Sequence, residues 1–99
     1  MAGKSLIWSS RAKKEFRAIL GFYSKRNDSE EFSRQLANDF RRAIQRVRKN
    51  ENIGQLLERE NVRFVVIYER YQLFYRIERE HNTIVTIWDA RRDPESLLF

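Results

Sequence analysis

Residues 62–77 read VRFVVIYERYQLFYRI, and residues 84–88 read IVTIW. In the first stretch Val62, Phe64 and Val66 alternate with Arg63, Val65 and Ile67. Tyr71, Leu73, Tyr75 and Ile77 then alternate with Gln72, Phe74, Arg76 and Glu78. Successive side chains of a strand point to opposite faces, so a period of two predicts strands. Ile84-Val85-Thr86-Ile87-Trp88 is apolar on both faces and belongs inside a sheet, away from water on either side. Glu80-His81-Asn82 reads as a turn, which puts His81 in a solvated loop. Three such strands with short polar connections predict an antiparallel meander.

Upstream of Gly54 the period changes to that of a helix. Ala12, Phe16, Ile19, Leu20 and Tyr23 share one face, with Ser9-Ser10 offering an N-cap and Lys25-Arg26-Asn27-Asp28 ending the pattern. Asp28 and Glu31 have capping-box spacing at the start of a second helix. There Phe32, Leu36, Phe40, Ile44 and Val47 form the apolar side, and Asn50-Glu51-Asn52 and Gly54 close it. Leu6-Ile7-Trp8 is a short first strand. The order is β-α-α-β-β-β: one α+β domain over residues 1–99, a helical hairpin packed on an antiparallel sheet.

Composition narrows the chemistry. Ninety-nine residues, 41% hydrophobic, suffice for one modest core, and 34% charged residues give it a solvated skin. No apolar run approaches the ~20 residues of a membrane span. Met1-Ala2-Gly3-Lys4-Ser5 has no apolar segment of the signal-peptide kind, so the cytoplasm is the expected compartment. The absence of cysteine excludes disulfides and thiolate metal sites, and the lone His81 excludes imidazole clusters, so no metal or cofactor is expected. Twenty Lys and Arg against 14 Asp and Glu leave a net charge of +6. Most of the cations are arginines, whose planar fork suits phosphate and carboxylate. Nucleic acid, an acidic protein or an anionic surface would each complement that charge.

Taken in order, several segments resemble the RelE/ParE superfamily of bacterial toxins. They are Trp8-Ser9 leading into a helix near Ala12, Gly54 before the meander, Arg63 in its first strand, and Tyr71-Gln72-Leu73-Phe74-Tyr75-Arg76-Ile77. The last is Thr86-Ile87-Trp88-Asp89-Ala90-Arg91-Arg92-Asp93-Pro94, and the resemblance runs from Leu6 to Leu97. It implies the toxin of a type II toxin–antitoxin pair, neutralised by an acidic antitoxin that wraps it. One branch of the superfamily cleaves messenger RNA on the ribosome without metal; the other poisons DNA gyrase. A shared fold does not separate them.

Metal-free RNA cleavage needs a base for the 2′-hydroxyl, an acid for the leaving oxygen, and cations for the phosphorane. The nuclease branch carries several basic residues on the first two meander strands and a Tyr or His near the C-terminus. Here Arg63 and Arg91 match basic positions, but Val65 and Gln72 stand where others would be, and the chain closes with Glu95-Ser96-Leu97-Leu98-Phe99. The catalytic candidates are Arg63, Arg91, Arg92 and Tyr75. Arg63, Arg91, Arg92, Arg41, Arg42 and Arg48 are candidates for gripping nucleic acid or a target. Each has a structural alternative. Arg63 could pair with Glu58, Glu60 or Asp89; Tyr75 fits a core; residues 89–94 fit a salt-bridged turn; the helical arginines, Arg34 included, fit a solvated face. Leu97, Leu98 and Phe99 either fold back or mark a docking site. A ParE-like gyrase poison is favoured, with a RelE-like ribosome-dependent endoribonuclease and a non-toxic basic RNA-binding module as alternatives.

Overall fold

The computed structural model describes residues 4–26 and 30–99. In chain order the elements are β1 (Ser5–Trp8), α1 (Ser10–Arg26), α2 (Glu31–Lys49), β2 (Gln55–Leu57), β3 (Val62–Ile67), β4 (Tyr71–Ile77) and β5 (His81–Asp89). A 3-10 turn at Pro94–Ser96 follows. The expected α+β architecture is present, and β3, β4 and β5 form the antiparallel meander. Two strands extend it. Short β2 pairs antiparallel with β3, and β1 pairs parallel with β5, giving the order β1-β5-β4-β3-β2. The sheet is therefore mixed rather than wholly antiparallel. The β1 pairing joins Ser5 to His81 and Trp8 to Ile84, which draws β5 back to His81. His81 is thus the first residue of a strand and not a loop residue; the bend falls at Arg79 and Glu80.

Ser9 does two jobs at the β1–α1 junction. Its Oγ accepts the Ala12 N–H at 3.0 Å, the N-cap bond its sequence position predicts, and donates to the Val85 carbonyl at 2.9 Å. The expected capping box of α2 begins at Asp28, outside the described residues. Glu30 occupies the cap position of α2 and makes no side-chain cap bond. The hairpin is held by ring contacts, Phe16–Phe40 at 4.9 Å and Tyr23–Phe32 at 4.8 Å, and by Ser33 Oγ, which donates to the Leu20 carbonyl at 2.9 Å.

The main core lies between this hairpin and one sheet face, with Ala12, Phe40, Val47, Leu73, Tyr75 and Ile84 all fully buried. A smaller cluster on the other face holds Val62, Phe74 and Trp88. The C-terminal residues cover it: Leu97 packs there, and Phe99 meets Phe74 with ring centres 5.0 Å apart. Leu98 points outward, while its carbonyl accepts from the Arg11 guanidinium. Of the two readings of the C-terminus, folding back is the one found for Leu97 and Phe99. Covering both faces lets β4 bury the adjacent Phe74 and Tyr75, each side chain contributing roughly 1.5–3 kcal/mol. Phe74 faces Thr86 while Tyr75 faces Ile84, so Val85 is the extra residue of a bulge.

Candidate functional site

The sequence candidates fall at separate places. Arg63 and Tyr75 are cross-strand partners near the β2 end of the sheet. Arg63 Nη1 donates to the carbonyls of Asn52 (3.1 Å) and Gly54 (2.9 Å). It does not pair with Glu58, Glu60 or Asp89. The chain leaving α2 turns its carbonyls toward β3, and a guanidinium satisfies two of them at once. The Tyr75 hydroxyl accepts the Gly54 N–H at 2.9 Å and donates to the Glu51 carbonyl at 2.8 Å, and the residue is fully buried. Burial raises its pKa above the usual phenol value, which keeps it neutral. Gly54 is required by this close approach: a Cβ there would lie 2.7 Å from the Tyr75 hydroxyl oxygen and 3.0 Å from the Phe64 carbonyl. Beside it, Lys4 Nζ meets Glu51 Oε1 at 2.9 Å and Asn82 Nδ2 donates to the same oxygen at 3.2 Å; both bonds hold the Glu51 carboxyl below its ordinary pKa.

Arg91 and Arg92 follow β5 at the opposite end. Tyr71 faces Asp89 and Tyr75 faces Ile84, so four positions of β4 separate the two ends, about 13 Å at ~3.3 Å per residue. The structure does not bring Arg63 together with Arg91. Asp89 organises the second end. It accepts the Arg91 N–H at 2.9 Å and takes the guanidinium through both oxygens, Nε–Oδ1 at 3.1 Å and Nη2–Oδ2 at 2.8 Å. The fork bond lowers the Asp89 pKa and raises that of Arg91. Arg92 lies 4.4 Å over the Trp88 ring, a cation–π contact that leaves its edge outward. The Ala90 N–H donates to the Arg70 carbonyl at 2.7 Å, tying this segment to the β3–β4 turn. Arg70 reaches the Tyr23 hydroxyl, which also accepts from Tyr71 at 3.1 Å. Burial and that contact raise the pKa of Tyr71.

The turn itself is unusual. Tyr68 and Glu69 both have positive φ, 56° and 53°, in the pattern of a type I′ turn. Neither is a residue that takes this conformation without cost, roughly 1–2 kcal/mol each. Tyr68 is half exposed, its ring edge resting on Phe32. One groove beside it holds Arg42 and Arg46, another Arg70 and Arg91. Arg42 therefore belongs to the rim that also carries Arg91, with Arg46 and Arg70 as members the sequence reading missed. Arg41 donates to Asn38 Oδ1, Arg34 pairs with Glu30, and Arg48 is exposed on the outer side of α2.

Glu15 was also not foreseen. It sits off the apolar stripe of α1, yet its carboxylate accepts the Thr86 hydroxyl at 2.8 Å and the Ile87 N–H at 3.0 Å. Because β1 ends at Trp8, the ladder edge of β5 beyond Ile84 is open, and Glu15 caps it. His81 Nε2 lies 3.2 Å from Glu78, at the end of β5 away from Arg91. Among the described residues no group of three or more His, Asp and Glu is arranged to hold a metal ion. No helix among them is long and apolar enough to cross a membrane.

A solved structure of the chromosomal ParDE TA system from P. aeruginosa is similar to this fold. It is similar over 87% of this chain and 95% of that one, with a TM-score of 0.73 and 19% identity, which shows a common fold. No curated protein matches the sequence. The family model for the ParE toxin of the type II toxin–antitoxin system, parDE, matches residues 6–94, and the chain belongs to that family. It is the toxin component of such a system, and an antitoxin is its partner. A plain RNA-binding module is not favoured.

Proposed function

We propose that the chain arrests growth by poisoning DNA gyrase rather than by cutting messenger RNA on the ribosome. It acts in the cytoplasm, without a cofactor, whenever its acidic antitoxin is lost. The observation that supports this most is the state of Tyr75: fully buried, with its hydroxyl donating to one backbone group and accepting from another. A proton-transferring group must reach its substrate, and this one is enclosed. Arg63, the matching cation, is occupied by two carbonyls and stands away from Arg91. The rim of Arg42, Arg46, Arg70 and Arg91 around Tyr68, with Arg92 next to Arg91, is the surface that would grip the gyrase–DNA complex. Cations positioned without an acid–base pair favour holding over cleaving.

Toxin purified from its complex is added to gyrase and plasmid, and separately to ribosomes translating a defined message. The expected result is gyrase-trapped double-strand breaks and an intact message. Replacing Arg91 and Arg92 together by Ala lowers break formation at least tenfold, with stability within ~0.5–1 kcal/mol of the parent because both are at the surface. Ribosomal A-site cleavage abolished by Arg91→Ala overturns the reading.

A further inference from the structure

The β3–β4 hairpin turns on Tyr68 and Glu69, and the Arg70 N–H closes it on the Ile67 carbonyl at 3.2 Å. A two-residue turn of this hand needs positive φ at both central positions, which Asn and Gly adopt most readily. The chain uses that solution elsewhere: its third residue of positive φ is Asn61, at 53°, directly before β3. At the β3–β4 turn it places a bulky aromatic side chain instead, at 56°. The turn needs the conformation, not the ring, and a residue kept in a costly backbone conformation points to a use for its side chain. Core packing is not that use. Tyr23, Tyr71 and Tyr75 are buried, whereas Tyr68 is 52% exposed. Its contact with Phe32 is T-shaped, with ring centres 5.3 Å apart. Such a pair covers at most one face of either ring, so Phe32 leaves at least one face of Tyr68 open.

Cations share its surroundings. Tyr68 lines two grooves, one with Arg42 and Arg46 and the other with Arg70 and Arg91. The carboxylates on the same linings are Asp39 and Glu69, two against four arginines. Arg42 and Arg91 hold their carboxylates through exposed pairs, which a phosphate can replace at little expense. We propose that Tyr68 stacks on a DNA base while these four arginines hold the flanking phosphates. The inference rests on the gyrase reading for the choice of DNA, and deepens that reading by naming the contact. A nucleotide carries a π-face and an anion in one unit, which is what an open ring among guanidinium groups complements. A protein surface would have to present an aromatic socket and several carboxylates at the same spacing. Paired duplex hides its base faces, so a ring of this kind selects DNA at a gap or a break, the lesion that a gyrase poison prolongs.

The probe is a DNA duplex with a short single-stranded gap carrying 2-aminopurine, whose fluorescence is quenched by stacking. Toxin freed of its antitoxin should quench it, and should bind it roughly 5–100-fold more tightly than intact duplex of the same sequence. Tyr68→Leu should lose the quench and that preference, and Tyr68→Phe, which keeps the ring, should recover both. The double variant Tyr68→Asn, Glu69→Gly installs the residues the turn favours. Its melting temperature should equal or exceed the parent's, yet it should bind the gap as weakly as duplex, even though a negative charge has been removed. A merely structural tyrosine would not separate stability from binding in this way. An unquenched probe, or an equal quench from Tyr68→Leu, overturns the proposal. So does quenching of the matching RNA probe alone. If Tyr68→Leu abolishes gyrase-trapped breaks but still quenches the probe, the ring touches gyrase itself and the DNA contact is likewise overturned. Absence of breaks with the parent protein sinks the gyrase reading, whereas the probe by itself decides the Tyr68 contact.

Discussion

Arg63 and Arg91 are both arginines attached to the same sheet, and the fold treats them in opposite ways. Arg63 is bound by two backbone carbonyls, which belong to the loop leaving α2 and move only if that loop moves. Arg91 is bound by Asp89, two residues away, in an exposed fork. An exposed ion pair contributes ~0–1 kcal/mol, so a phosphate or a partner's carboxylate can replace Asp89 at little expense. Removing the donor from the part-buried Gly54 carbonyl costs more, about 1–3 kcal/mol, though the Asn52 carbonyl is exposed and can turn to water. What makes an arginine available is the kind of acceptor it already holds. Around Arg63 the acceptors are part of the fold; around Arg91 one side chain is the only obstacle.

The largest effect follows from Tyr75. Its removal as Tyr75→Ala opens a cavity beside Gly54 and lowers stability by about 3–5 kcal/mol, read from the urea midpoint at constant slope. Tyr75→Phe keeps the ring and strips the hydroxyl from the Gly54 N–H and the Glu51 carbonyl, at about 1–3 kcal/mol. A Tyr75→Phe protein of unaltered stability that no longer arrests growth would reverse the comparison, making this end the working one.

A smaller effect tests what lies between the two ends. Glu15 supplies the acceptor that the β5 edge lacks once β1 stops, and the segment it holds leads directly to Asp89 and Arg91. Glu15→Ala should cost about 1–3 kcal/mol through the unpaired Ile87 N–H and Thr86 hydroxyl. Hydrogen exchange at Ile87 should accelerate while exchange at Leu73, in the centre of the sheet, follows only the global loss. Equal acceleration at both amides would mean that Glu15 does not anchor this segment locally.

These differences explain what the sequence could convey. Period-two and helical patterns are properties of neighbouring residues, so β3, β4, β5, α1 and α2 were legible, as was the Ser9 cap. Strand β2 was not: Gln55-Leu56-Leu57 is three residues long, and its pairing with β3 is decided by the loop that Arg63 and Tyr75 hold. The start of β5 at His81 depends on β1, more than 70 residues earlier in the chain. The turn at Tyr68-Glu69 contains no Gly or Asn, so nothing local announces positive φ there; tertiary contacts impose it. For the site, Arg91 and Arg92 were found because a polar run after a buried strand is a local signal. Arg46 and Arg70 were missed because only folding brings α2 beside the β3–β4 turn that carries Tyr68. Glu15 was missed because a carboxylate among lysines on a helix looks solvated until the unpaired strand edge beside it is known.

The smallest predicted effect is in acid. Glu51 has its pKa lowered chiefly by the Lys4 hydrogen bond, then by Asn82, and Asp89 has its own lowered chiefly by Arg91. A carboxyl with a folded pKa below its unfolded one binds more protons when unfolded, so its contribution is fully present above the unfolded value, 4.5 for Glu51 and 3.8 for Asp89. That contribution disappears as pH falls through the folded value. Lys4→Ala should therefore flatten the fall in stability below pH ~5 while changing stability at pH 7 by less than ~1 kcal/mol, as expected for a partly exposed pair. Arg91→Ala should flatten it at slightly lower pH. Urea midpoints between pH 3 and 7 read both. Since the two carboxylates sit at opposite ends of β4 and share no partner, the double variant should show the sum of the two changes within about 0.3–0.5 kcal/mol. A clear departure from that sum would show that the ends communicate, and the locked end would then be tuning the exposed one instead of merely supporting it.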